Sequence, residues 1–143
     1  MTLKKLKLKQ RKFYKSIESV FCPALKENIY FTSKGFNHLL YDSNHMPRKV
    51  SEQYLKLKLF EYVPKLIKES TRIHSIRIFK KGAFYKNRRE IITITRYALV
   101  GNVRDIGRIR VIIERINSDK YCFLSDMPNK RSKKQKAPLT DAL

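Results

Sequence analysis

The sequence is short of the residues that build flexible linkers and disulfide frameworks. Its 143 residues include four glycines, five prolines, two cysteines and no tryptophan. So few glycines and prolines argue against low-complexity linkers, and no internal repeat divides the chain, so a single domain is expected. Cys22 and Cys122 lack a second cysteine or histidine at the spacing of a zinc site, which predicts two reduced thiols that pack as small apolar side chains.

Long apolar runs are also missing. No stretch approaches the roughly 18 apolar residues of a membrane-spanning helix. The leucines of the N-terminal MTLKKLKLKQRK are interspersed with lysines and do not form the continuous apolar region of a secretory signal. The sequence therefore predicts a cytoplasmic protein with no membrane partner.

Acidic residues are scarce, and this scarcity sets the class of partner. The chain has 33 Lys and Arg against 12 Asp and Glu, a net charge of +21. Residues 1–15 hold seven basic and no acidic residues, and residues 128–143 hold five and one, which leaves 21 basic and 11 acidic residues between them. A domain this basic attracts polyanions, so nucleic acid or an acidic protein is expected.

The charge distribution also suggests the organisation of the chain. Residues 1–20 are expected to form a basic N-terminal helix or arm, residues 21–127 the folded domain, and residues 128–143 a basic disordered tail. Both basic terminal segments are expected to be disordered on their own and to add salt-sensitive contacts to RNA phosphates.

Apolar spacing predicts helices in the first half of the chain. After a short strand in NIYF, Thr32 or the serine that follows it stands where an N-cap is expected, and a short helix with His38 on its polar side should follow. A leucine-rich helix is predicted over residues 51–69, and Pro64 should kink it or split it in two.

From Arg72 onward the apolar period changes to two. This period predicts four strands, in RIHSIRIF, EIITITRYALV, RIRVIIERI and KYCFLS. Neighbouring strands should be antiparallel, because their connections are short: KKGAFYKNRR, GNVRDIG and NSD. The predicted fold class is α+β, with N-terminal helices packed on a four-stranded antiparallel β-sheet.

Strand alternation predicts one sheet face that carries basic residues. It separates Ile109, Val111 and Ile113 from Arg108, Arg110 and Glu114, and it separates Arg96 from Tyr97. The helix over residues 51–69 should cover the apolar face, which leaves the arginine-bearing face partly open as a phosphate site.

The residue types favour RNA cleavage without a metal ion or cofactor. The acids are scattered singly and do not form the carboxylate cluster that holds Mg²⁺, and no phosphate-binding glycine loop or nucleophile elbow occurs. RNA carries its own nucleophile, the 2′-hydroxyl, so a histidine for proton transfer and arginines for phosphoryl charge suffice. The candidate catalytic residues are His38, Arg48, Arg110 and Ser125, and the candidate RNA-binding residues are Lys34, Lys56, Arg96, Tyr97 and Arg108.

Each candidate also has a purely structural interpretation. In this interpretation His38 is an exposed histidine and His45 is a loop residue. The arginines are then surface charges or members of structural ion pairs. Ser125 fits a capping or turn residue. Lys56 fits the helix surface or a phosphate contact, because an exposed lysine stays protonated at neutral pH.

The order of helices and strands resembles the nuclease fold shared by barnase, EndoU, tRNA-cutting colicins and RelE toxins (the BECR fold). The segments that carry the resemblance are, in order, IYFTSKGFNHLL, MPRK, QYLKLKLFEYVPKLI, RYALVG, RIRVIIERI and FLSDMP. The resemblance covers about residues 26–127 and is strongest to the small domains of this fold in phages and other mobile elements. It implies a metal-independent endoribonuclease toxin or effector with an acidic antitoxin or immunity protein. EndoU-type enzymes use two histidines and a lysine, whereas here His74 lies on a strand and no second histidine is clearly placed.

Two functions therefore follow from the sequence. The first is an endoribonuclease that acts on RNA, with tRNA and ribosome-associated RNA as candidate substrates. The alternative is a non-catalytic RNA- or ribosome-binding module, whose basic tails contact phosphates. DNA binding or a structural role in a mobile element is a further alternative, although no helix-turn-helix or zinc-finger pattern supports it.

Overall fold

The computed structural model describes residues 1–129. Its helices are α1 (Leu3–Ser16), α2 (Ser33–Leu40), α3 (Val50–Phe60) and α4 (Val63–Glu69). Its strands are β1 (Ser19–Cys22), β2 (Glu27–Tyr30), β3 (Ser75–Tyr85), β4 (Arg88–Val103), β5 (Gly107–Ile116) and β6 (Tyr121–Pro128). They form one sheet in the order β1-β2-β6-β5-β4-β3. The predicted α+β class is confirmed.

The sheet is larger than predicted, and it is mixed. The four predicted strands are present as β3 to β6, each antiparallel to the next. The β1–β2 hairpin adds two more, and β2 runs parallel to β6. The predicted four-stranded sheet is therefore wrong in size. The strand predicted in NIYF corresponds to β2, whose pairing with the distant β6 has no local signal, and the four-residue β1 is too short to show a period of two in the sequence.

Two connections predicted as loops belong largely to strands. Strand β3 continues to Tyr85 and β4 starts at Arg88, so the turn consists of Lys86 and Asn87, both with positive φ. This is the pattern of a tight hairpin turn, whose twist matches that of the flanking strands. The second connection is shortened in the same way, between Val103 and Gly107.

The N-terminal basic segment is a helix of the domain. Thr2 caps α1, since its Oγ1 accepts a hydrogen bond from the Lys5 amide at 3.2 Å. Leu6, Gln10 and Tyr14 recur every four residues and are buried. The predicted disorder of this segment is therefore wrong.

The predicted C-terminal tail falls almost wholly on residues 130–143, outside the described residues. Within residues 1–129, no helix is long and apolar enough to cross a membrane.

Pro64 divides the long helix as predicted. Helix α3 ends at Phe60, and α4 begins at Val63 with the proline in its first turn, where a missing amide proton costs nothing. Helix α4 lies against β4, where Gly101 leaves room for Leu66. The helices cover the sheet face that carries the buried side chains of Leu99, Ile109, Val111, Ile113 and Phe123.

Helix α2 lies along the edge of β6. Strand β2 pairs with β6 only at Tyr121 and Cys122, so from Phe123 onward helices cover that edge. Gly35 allows the approach, since a Cβ there would lie 2.5 Å from the Phe123 carbonyl oxygen and 2.6 Å from the Tyr14 hydroxyl. On one side of α2, Phe36, Leu39 and Leu40 are buried in the core, while Lys34 and His38 lie on the other.

The second face of the sheet is less open than predicted. The register confirms the alternation, with Arg96 opposite Glu114 on this face. However, Ile92, Ile94 and Ala98 share it and are buried, although they do not belong to the main core. The face therefore has an apolar floor with charged side chains above it.

The close approach at Gly35 gives a stability prediction. Gly35→Ala should lower the free energy of unfolding by about 1–3 kcal/mol, because the added methyl group meets the main-chain carbonyl oxygen of Phe123 and the buried ring of Tyr14, which have little room to move. Gly82→Ala is the matched control, since a Cβ there meets nothing within 4 Å. Urea unfolding of both variants tests the prediction, and equal stability of the two would contradict it.

Candidate functional site

A groove with a volume of about 720 Å³ separates helix α2 from the second face of the sheet. We call it the α2 groove. Ile94 and Leu124 form its apolar floor. Charged and imidazole groups from α2, from the turn after it and from three strands surround that floor: Lys34, His38, His45, Lys81, Arg96 and Glu114.

The turn after α2 directs the chain back onto the helix. The Asp42 carboxylate accepts hydrogen bonds from the amides of Asn44 at 2.9 Å and Met46 at 3.0 Å. The Met46 amide is the main cause that lowers the pKa of this carboxyl group. The Arg48 amide then donates to the Leu40 carbonyl at 2.9 Å, so Arg48 lies beside the last turn of α2.

Arg48 fixes the imidazole of His38, so the helix and the loop after it bring these two candidate residues into contact. Its Nε donates to the His38 carbonyl at 2.9 Å, and its Nη2 lies 3.3 Å from His38 Nδ1. Glu52 holds the same guanidinium through Nη1 at 3.2 Å. Because a guanidinium only donates, Nδ1 accepts, and the proton of the neutral imidazole resides on Nε2.

The surroundings of His38 favour its neutral form. Burial lowers its pKa, and the positive charges of Arg48, Lys56 and Arg96 lower it further. The ring therefore presents an Nε2–H hydrogen-bond donor. A proton-accepting Nε2 would require the other tautomer, which places a proton between Nδ1 and the guanidinium of Arg48.

Glu114 lies on the sheet beneath the groove and holds two of its cations. It is 4% exposed and accepts hydrogen bonds from Lys34 Nζ at 2.6 Å and Arg96 Nε at 3.0 Å. Burial raises the pKa of the Glu114 carboxyl group, but the bonds and charges of Lys34 and Arg96 outweigh burial and lower it below the usual value. The Arg96 guanidinium also lies 5.0 Å from the ring centre of Phe79, so two contacts orient it.

Two of the five basic side chains that line the groove lay outside the predicted site. His45 was interpreted as a loop residue, yet it lines the same groove as His38. The short spacing of the two histidines in the sequence was the available signal. Lys81 fell in a predicted connection, and it reaches the groove because β3 continues past it, opposite Ile92 of β4.

Lys56 and Ser125 are buried beside the groove. Lys56 is 7% exposed, and its Nζ donates to Ser125 Oγ at 3.2 Å and to the Asp126 carbonyl at 2.7 Å. The predicted surface position of Lys56 is therefore wrong, because it caps the edge of β6. Ser125 is 2% exposed and does not line the α2 groove.

Arg110, Arg108 and Tyr97 lie away from the groove. Arg110 lies on the same side of β5 as Glu114 but four residues away, which is about 13 Å along a strand. Its Nε donates a hydrogen bond to Asn129 Oδ1 at 3.1 Å. Arg108 is exposed two residues further along. Tyr97 is on the opposite face, where it packs against Tyr121. Of the predicted site, His38, Arg48, Lys34 and Arg96 come together, and Arg110 does not join them.

Acidic side chains near the groove are already engaged. Glu114 holds Lys34 and Arg96, and Asp42 holds main-chain amides. Across residues 1–129, no three His, Cys, Asp or Glu side chains cluster in a way that could hold a metal ion.

Asp126 is a buried carboxyl group that the sequence did not single out. It is completely buried, and neither carboxylate oxygen has a hydrogen-bond partner among residues 1–129. Burial raises its pKa well above the usual value, although the charges of Lys56 and Arg48 oppose this. The folded protein therefore keeps this acid protonated to a higher pH than the unfolded chain does.

This burial predicts a stability that falls as pH rises. Above the unfolded-state pKa of about 4, the folded protein binds more protons than the unfolded chain, so the free energy of unfolding declines until the folded-state pKa is passed. Asp126→Asn cannot ionise and should lack this decline, so the variant should be more stable than the native protein at pH 8. Urea unfolding between pH 4 and 8 measures this.

Asp105→Asn serves as the control, because it makes the same substitution in an exposed turn. Its stability should follow the pH dependence of the native protein. Parallel curves for the native protein and Asp126→Asn would contradict the predicted linkage.

No protein-family model, curated protein or solved structure matches this chain. The resemblance to the BECR nuclease fold stays a prediction from the sequence.

Proposed function

We propose that this protein binds RNA in the α2 groove and cleaves it as a metal-independent endoribonuclease. The observation that carries the proposal is the lining of this single cavity, which combines the imidazoles of His38 and His45 with the cations Lys34, Lys81 and Arg96. Imidazoles transfer protons near neutral pH, and cations stabilise the charge that develops on phosphoryl oxygens.

The chemistry requires no other reactant. The 2′-oxygen attacks the adjacent phosphorus, the bond to the 5′-oxygen breaks, and the products end in a 2′,3′-cyclic phosphate and a 5′-hydroxyl. In this proposal His45 accepts the proton of the 2′-hydroxyl and returns it to the 5′-oxygen. His38 donates its Nε2–H to a phosphoryl oxygen, a role that suits a neutral imidazole whose Nδ1 accepts from Arg48.

A non-catalytic RNA-binding module is the second candidate, and one observation favours it. The contact between Arg48 and Nδ1 makes His38 a hydrogen-bond donor and not a base, which leaves His45 as the one imidazole of the groove that could transfer both protons of the cleavage reaction. In this alternative the groove holds RNA through the same cations and leaves the backbone intact. A toxin or effector role, with an acidic antitoxin or immunity protein over the arginine-bearing face, belongs to the first candidate.

Cleavage of end-labelled total RNA and tRNA in EDTA tests the proposal. The native protein should release fragments with 2′,3′-cyclic phosphate ends. Replacement of His38 or His45 by Ala should slow this at least about 100-fold, which is the usual loss when a proton-transfer group or a charge-stabilising donor is removed. His74→Ala, at the third histidine, should keep full activity, because His74 is exposed and does not line the groove.

The outcomes separate the two candidates. Salt-sensitive RNA binding without cleavage by the native protein would support the binding module. Cleavage that survives both groove replacements, or that disappears in EDTA, would overturn the proposed chemistry. Purified native protein and variants should be matched by circular dichroism, so that a loss of folding is not taken for a loss of chemistry.

A further inference from the structure

We infer a second RNA-binding site, a nucleotide pocket on the other side of the first turns of α2, that extends the α2 groove. It rests on the proposed binding of RNA, and it holds whether or not the RNA is cleaved. The pocket has a volume of about 440 Å³ and lies between α1, the end of β2 and α2. We call it the α1 pocket.

The walls of the α1 pocket are mainly aromatic. Tyr14 and Phe36 are buried with their ring centres 5.2 Å apart, and Phe31 packs edge-on to Tyr14 at 5.6 Å. Tyr30 completes the aromatic lining and is partly exposed. Phe31 and Tyr30, which are both partly exposed, therefore present the accessible aromatic surface of the pocket. Aromatic surfaces bind nucleic acid bases of any sequence, because every base has a π-face.

The rim of the α1 pocket is cationic. The Arg11 guanidinium lies 4.7 Å from the ring centre of Phe36, and Lys120 Nζ lies 4.9 Å from that of Tyr30. Lys15 adds a third cation on the same face of α1 as Arg11, one turn further. Within residues 1–129 none of the three forms an ion pair, and Glu18 is the one acid of the lining.

An apolar wall of rings beneath unpaired cations fits a ligand with a flat apolar part and a negative part. A nucleotide has both, because its base can lie against Phe31 and Tyr30 while Arg11 and Lys15 contact its phosphate. A fully apolar ligand would leave the three cations without a role, and an inorganic anion would leave the aromatic wall exposed.

The two cavities are neighbours, and this makes the occupant part of the same RNA strand. Ser33 and Asn37 line both the α2 groove and the α1 pocket. These residues are four apart on α2, about 6 Å along the helix axis. One strand can therefore occupy the α2 groove and continue past Asn37 into the α1 pocket. The inference predicts a binding site longer than the groove alone.

Binding of labelled RNAs of increasing length tests this. The RNAs run from two to ten nucleotides and carry 2′-O-methyl groups, which prevent cleavage because the attacking hydroxyl is absent. Fluorescence anisotropy should show affinity for the native protein rising with length until both cavities are filled. The Arg11→Ala, Lys15→Ala double variant should bind the ten-nucleotide RNA about tenfold more weakly and the dinucleotide equally well.

A matched double variant separates the pocket from general charge. Lys4→Ala with Lys12→Ala removes two positive charges from exposed positions of the same helix that do not line the α1 pocket. It should keep the length dependence of the native protein. Equal losses in the two double variants, or equal losses at every RNA length, would overturn the α1 pocket.

Two further outcomes are informative. If the native protein binds no RNA of any length, the proposed function fails and the nucleotide pocket fails with it. If labelled RNA is displaced from the pocket by dodecyl phosphate but not by a nucleoside monophosphate, the pocket takes an anionic amphiphile and the nucleotide assignment is wrong.

Discussion

The close contact between Gly35 of α2 and the main chain of Phe123 in β6 determines how the rest of the molecule is arranged. Because no Cβ intervenes, α2 can cover the part of the β6 edge that has no strand neighbour. The helix then has one side in the core and the other above the arginine-bearing face of the sheet. Both the α2 groove and the α1 pocket exist because a helix occupies this edge.

The electrostatics of the groove follow from that placement. Glu114 beneath it holds Lys34 and Arg96 in fixed positions, which lowers the cost of bringing cations together while their outer N–H groups remain available. His38 is kept neutral by burial and by the surrounding cations, with Arg48 against its Nδ1. A groove of oriented cations and neutral donors suits a phosphate ester, whose charge it can neutralise without a large rearrangement.

Much of the fold could be predicted from local patterns. Alternation identified β3 to β6 and the faces of the residues on β4 and β5, and Pro64 marked the break between α3 and α4. Alternation fails along β6, where a register shift places Ser125 opposite Ile112 and not on the side of Phe123. The helical wheel of α2 placed His38 on the polar side. These signals are local, because each depends on residues a few positions apart.

The remaining features depend on contacts between distant segments. Lys56 is buried while its neighbour Leu55 is 42% exposed, because Lys56 reaches main-chain and hydroxyl oxygens of β6 that compensate for its burial. Alternation placed Arg110 on the correct face of the sheet, but it could not show that the groove lies near Glu114 and not near Arg110 along β5. His45 reaches the groove only through the turn around Asp42, and burial of Asp126 has no signal in its own segment.

The measurement that tests the account most directly is photo-crosslinking of an RNA that contains 4-thiouridine to the native protein, with the linked peptides identified by mass spectrometry. RNA binding in the α2 groove predicts crosslinks on the segments that surround the groove. These segments are residues 33–45, which form α2 and the turn after it, and residues 81 and 94–96 of the sheet. Crosslinks confined to the far end of β5, around Arg108 and Arg110, would contradict it and place the RNA on another surface.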